Sequence, residues 1–187
     1  MRRFAFPALV AVGCLALASC AEAAGTTSRP EPTTTTAASV GRGRASCPTT
    51  RPPRPAFVPP KPYRATPPPL YRGMVWYGSD ALWTWLHQEG TWEMARNGEA
   101  RFDKSFWWRA GFDPLREPNP DLSLTARRLD TQGPVITASD GAATHGWRDD
   151  GDIGAFVLTG IELPAGGCWE ITGHYGSAAL TLVVWVP

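Results

Sequence analysis

From Met74 onward, apolar and β-branched residues come in short runs that alternate with polar ones, and no stretch keeps a helical apolar period for three turns. The runs cover residues 74–77, 82–86, 91–94, 100–102, 106–109, 122–127, 135–138 and 155–158, each closed by turn residues. The clearest unit is the last. Two β-rich runs, 167–175 and 180–186, flank Gly176-Ser177-Ala178 and predict a hairpin. Alternation on its first run puts Trp169, Ile171 and Tyr175 on one face and Cys168, Glu170, Thr172 and His174 on the other. Asn97-Gly98 marks a second hairpin. Pro164-Ala165-Gly166-Gly167, between two β-rich runs, reads as a tight corner from one sheet to another. Eight or nine short strands in residues 70–187 predict an all-β domain, an immunoglobulin-like antiparallel β-sandwich, although antibody-type cysteine spacing is absent.

The chain before this domain has a different character. Met1-Arg2-Arg3 is a basic start, residues 4–18 are an uncharged apolar run too short to span a bilayer, and the run closes on Leu17-Ala18-Ser19-Cys20. That ending resembles the bacterial lipobox, which predicts a lipoprotein signal peptide over 1–19 and acylation of Cys20 as the new N-terminus. Ordinary secretion is the alternative, since Ala21-Glu22-Ala23 is also a small-residue cleavage pattern. Either route leads to an extracytoplasmic location: lipid-anchored at the cell envelope, or secreted.

Residues 20–69 hold twelve of the nineteen prolines, a Thr33-Thr34-Thr35-Thr36 run and no apolar period, and predict a disordered Pro/Thr-rich tether. Cys14 leaves with the signal core. If Cys20 carries lipid, Cys47 and Cys168 remain, and in an oxidising compartment that isolated pair is expected to be bridged. Such a bridge closes a loop of roughly 120 residues, for which the chain-entropy model gives about 4–5 kcal/mol. The alternative is a buried free Cys168 and an unpaired Cys47.

Charge separates along the same boundary. Residues 21–69 carry seven Lys/Arg against two Asp/Glu, whereas residues 70–187 carry nine against fifteen, so the formal +1 of the whole chain combines a basic arm with an acidic domain. The arm either lies on an anionic envelope surface or simply keeps the tether soluble. An acidic extracytoplasmic domain argues against nucleic acid as a partner. The partners expected are membrane lipid, through the anchor, and an envelope glycan or another envelope protein.

Candidate chemistry is sparse. Nine tryptophans raise the idea of a sugar-binding platform, but their spread over most runs favours core packing. Trp107 and Trp108 are adjacent and must face opposite sides of a strand, so with Arg109 they are the candidate ligand-binding residues, one indole expected at the surface or under a loop. Asp149-Asp150-Gly151-Asp152 has no full calcium-loop spacing, and His87, His145 and His174 sit in no zinc motif, so no metal or cofactor is expected. No nucleophile elbow or phosphate loop occurs, and Cys168 and His174 lie about 20 Å apart along a strand, too far for a dyad. No catalytic residue is assigned. One of Arg127 and Arg128 is expected to turn inward or to a sheet edge and pair with a carboxylate such as Glu170. The function expected is a non-catalytic binding or structural module of the envelope, the alternative a hydrolase of carbohydrate or cell-wall polymer.

Leu82-Trp83-x-x-Leu86, Lys104-Ser105-Phe106-Trp107-Trp108-Arg109, Ala126-Arg127-Arg128-Leu129-Asp130 and Gly167-Cys168-Trp169-Glu170-Ile171-Thr172-Gly173 resemble the successive signature blocks of a group of uncharacterised bacterial secreted proteins and lipoproteins. The resemblance covers residues 72–187 together with a cysteine in the position of Cys47. It implies a fold and a compartment and brings no activity.

Overall fold

The structure, a computed structural model, describes residues 43–68, 73–138, 141–144 and 154–187. Cys20, the signal run, residues 21–42, His145, Trp147 and the Asp149-Asp150-Gly151-Asp152 cluster lie outside the described residues.

Among the described residues, ten strands form two antiparallel sheets packed as a sandwich: β1 (Met74–Ser79), β2 (Leu82–His87), β3 (Ala95–Asn97), β4 (Ala100–Trp108), β5 (Leu122–Arg128), β6 (Ile136–Ala138), β7 (Ala142–Thr144), β8 (Phe156–Leu163), β9 (Gly167–Tyr175) and β10 (Ala178–Val186). The first sheet runs β1-β2-β4-β8-β7, with β3 also on β4, and the second runs β10-β9-β5-β6. Leaving aside β1 and β3, the orders β2-β4-β8-β7 and β10-β9-β5-β6 are the A-B-E-D and G-F-C-C′ orders of an immunoglobulin-like sandwich.

The hydrophobic alternation sets the interior. Leu82 and Leu86 from β2, Trp107 from β4, Val157, Ile161 and Leu163 from β8 meet Leu122, Leu124 and Ala126 from β5, Trp169 and Ile171 from β9, and Leu182, Val184 and Val186 from β10. Trp107 fits because Gly173 faces it: a Cβ on Gly173 would lie 2.4 Å from the indole. The final hairpin turns on two residues, Gly176-Ser177, since Ala178 pairs with Tyr175, and Gly176 has φ +56°. In the earlier hairpin, Asn97 pairs with Ala100, which makes Gly98-Glu99 the loop. The two runs 100–102 and 106–109 are one strand rather than two. Its polar middle does not mark a turn, because Asp103 and Ser105 face an opening in the interior.

The first sheet is apolar on its outer face as well. Trp76, Trp83, Trp108 and Phe156 form a second buried cluster there, and Phe57 and Tyr63 cover it. These two rings sit 5.8 and 5.0 Å from Trp83, and the Trp76 indole donates to Arg64 O at 2.9 Å. Further back, Thr50 N donates to Val183 O at 2.8 Å and Val183 N to Thr50 Oγ1 at 2.7 Å, while Cys47 and Cys168 form a disulfide. Residues 43–68 were expected to belong to the disordered tether. They are instead a strap across the sandwich, because Phe57, Tyr63 and Cys47 supply anchors that proline-rich composition conceals.

One crossing shapes the rest of the fold. After β2 the chain turns at Gly90 (φ +66°) and leaves the first sheet. Thr91 then bridges Trp185 in parallel, with Trp185 N donating to Gly90 O and Trp92 N to Trp185 O, each at 2.8 Å. Residues 91–94, expected as a strand, thus join the edge of β10 through a single bridge, a sheet switch of the kind that makes sandwich corners.

Candidate functional site

The switch at Gly90 leaves β4 incompletely paired. On one edge it is laddered to β8 over Arg101–Trp107. On the other it pairs with β3 at Ala100–Phe102 and with β2 only at Trp107 and Trp108. Among the described residues, Asp103, Lys104, Ser105 and Phe106 therefore have no strand paired to them on that edge, and a cleft of about 170 Å³ enters the sandwich there. The walls are largely apolar, with Trp92 and Trp107 on the side of the inner core and Trp85 and Phe106, which pack in the outer cluster, at the edge. Ile171, Leu182 and Val184 of the opposite sheet close the floor.

The polar groups in this cleft are few and held in place. Thr84 Oγ1 donates to Phe106 O at 2.7 Å, standing in for a ladder bond where β2 and β4 part. Ser105 Oγ accepts the Trp107 indole N–H at 2.6 Å. Asp103 is half-buried. Its Oδ2 accepts from Trp92 Nε1 and its Oδ1 from Lys104 N, each at 2.7 Å. Burial on the rim holds the His87 imidazole below its ordinary pKa, and the nearby carboxylates of Glu93 and Asp103 pull in the opposite direction. Among the described residues no Lys, Arg or His lies within ion-pair distance of Asp103.

The residues singled out from sequence fall elsewhere. Trp107 and Trp108 do face opposite sides of β4, yet each is only 1% exposed. Trp107 is core, and Trp108 lies in the outer cluster against Trp76 at 5.0 Å and Phe156 at 5.5 Å. Neither indole offers an open face for a sugar; only Trp107 touches the cleft, from inside. Arg109 is no free ligand-binding group either. Its guanidinium pairs with Glu117, which also accepts from the Tyr175 hydroxyl, and stacks 5.1 Å over the Tyr175 ring and 5.9 Å over Phe112. The hydrogen bond with Tyr175 is the first cause of its raised pKa. This clamp fastens the turn after β4 to the end of β9.

The arginine pair after β5 divides as the alternation requires. Arg127 is on the exposed face and pairs with Glu170, its register partner, at 2.9 Å. Arg128 turns toward the sheet end, where its partner is Asp130 at 2.7 Å, and its guanidinium lies 5.9 Å from the centre of the Trp169 ring. Among the described residues no three His, Cys, Asp or Glu side chains converge as a metal site.

Asp103, His87 and Trp92 were not picked out from sequence. One signal for the first was present: in the β4 alternation Asp103 shares the inward parity of Ser105 and Trp107, and an inward carboxylate calls for a cavity or a partner. The position of Trp92 depends on the crossing to β10, which no local pattern encodes. No protein-family model and no curated protein sequence matches this chain.

Proposed function

We propose that the chain is a cell-envelope lipoprotein, anchored through acylated Cys20, whose sandwich is a non-catalytic binding module of the secreted and lipoprotein type its signature blocks resemble. The observation that carries the binding reading is the cleft between β2 and β4: a preformed, largely apolar concavity with a small number of fixed polar groups, which is the usual make-up of a small-molecule site. At about 170 Å³ it matches one ring or a comparable group, since an apolar cavity of about 150 Å³ takes benzene. A polymer hydrolase, the other reading, calls for an open groove along a chain of sugars, and this cleft is too small for that.

Two experiments test the two parts. Cys20→Ala is expected to move the protein from the membrane fraction to the soluble one and to abolish fatty-acid labelling; membrane retention without an acyl mass shift contradicts the anchor. For the module, envelope extract is passed over immobilised full chain and over His87→Trp, which places an indole at the cleft mouth. The wild type is expected to retain a small molecule that the variant does not. Equal retention by both, or none by either, contradicts binding through the cleft.

A further inference from the structure

The geometry points to an organic ammonium cation, quaternary or methylated and about one trimethylammonium group or ring in size, as the ligand of the cleft beside Asp103. This inference rests on the cleft being the binding site of the proposed module, and it names the ligand class.

Three features combine. The first is a half-buried carboxylate that already accepts two N–H bonds, from Trp92 and from the Lys104 backbone, and that no cationic side chain pairs among the described residues. A carboxylate partly removed from water gains most from a cation that itself desolvates easily, and alkylated ammonium groups do so far more readily than a bare ion. The second is the ring content of the wall. Trp92 and Trp107 line the cleft on the inner side of the sheet, the side of that carboxylate, while Trp85 and Phe106 border it from the outer cluster, and an alkylammonium is attracted to the negative faces of such rings. The third is size: about 170 Å³ takes one such group and leaves no room for an extended chain. An anionic ligand would meet Asp103 with Glu93 nearby, and a neutral apolar one would leave the carboxylate uncompensated. Lys104 is exposed and lines the rim, so it competes weakly and from the water side.

The test uses the oxidised full chain with choline as cation and 3,3-dimethylbutan-1-ol as its neutral isostere. Indole ¹⁵N–¹H spectra follow the Trp92 N–H, which donates to Asp103. Choline is expected to shift that resonance saturably, with the isostere about tenfold weaker or more. Asp103→Asn keeps an acceptor for Trp92 and should reduce choline affinity by about tenfold while leaving the isostere unchanged. Lys104→Gln should leave choline binding intact or tighten it. If choline and the isostere bind equally and Asp103→Asn changes neither, the cation assignment is overturned while cleft binding stands. If neither probe moves Trp92, the inference fails, and the extract experiment with His87→Trp still decides the module reading by itself. Phosphatidylcholine vesicles that displace choline assign a membrane headgroup as the source, and vesicles that do not assign a soluble cation.

Discussion

Gly173 and Gly160 stand on neighbouring sheets and answer differently to the same substitution. A methyl group on Gly173 would meet the Trp107 ring at 2.4 Å, inside the core that both sheets build. Gly160 on β8 has nothing within 4 Å of its would-be Cβ. Gly173→Ala is therefore expected to destabilise the domain by about 1–3 kcal/mol through overpacking, with Gly160→Ala close to neutral, both read from urea unfolding. His87 gives a second test at this scale. Burial lowers its pKa in the folded protein from the ordinary 6.5, so as pH falls the unfolded chain takes up the proton first. Stability is accordingly flat above about pH 6.5, falls as pH drops through the folded pKa, and levels off once both states are protonated. Urea midpoints from about pH 8 to about pH 5 should show this slope in the wild type and a smaller one in His87→Gln; identical slopes would show that His87 contributes nothing to it. That Trp107 and Trp108 point to opposite faces was legible from their adjacency. That both are covered was not, since the cover over Trp108's cluster comes from residues some fifty positions earlier in a proline-rich stretch.

The elements that sequence predicts best are those whose partners are close in the chain. The β9–β10 hairpin and the corner from β8 to β9 each follow from local alternation and glycine placement. Two other elements escape such reading. The strap of residues 43–68 has no period because it makes side-chain contacts at irregular intervals, at Cys47, Thr50, Phe57 and Tyr63. The segment after β2 looks like a strand in its own right and is instead drawn off to β10 by a long-range bridge. The strap's role is measurable. Thr50→Val removes the acceptor of the Val183 N–H and should cost about 1–2 kcal/mol, with the Val183 amide exchanging at least about tenfold faster and the Ile171 amide, inside the second sheet, unchanged. Replacing Cys47 and Cys168 together by Ser should cost about 2–5 kcal/mol, because the bridge spans 121 residues and ties the strap to the start of β9. If Val183 exchanges at the same rate in Thr50→Val, the strap is not bound in the way described.

At the scale of the molecule, a strand order that is immunoglobulin-like carries one departure with consequences for function: β4 is paired at both ends of one edge and bare in the middle. The sandwich class was readable from the count and alternation of short strands. The cleft was not, because it arises from a missing pairing, and sequence patterns report the pairs a strand can make rather than those it does not. The same reasoning explains why Asp103, a charge in the middle of an apolar strand, looked like a break between two strands when it lines an internal site. The most direct measurement of the central claim is a crystal structure of the oxidised full chain grown with choline. It should show β2 and β4 paired only at Trp83–Trp108 and Thr84–Trp107, with the cation in the opening beside Asp103. A sheet in which β2 and β4 pair on through His87 and Lys104, leaving no cleft between them, would contradict it.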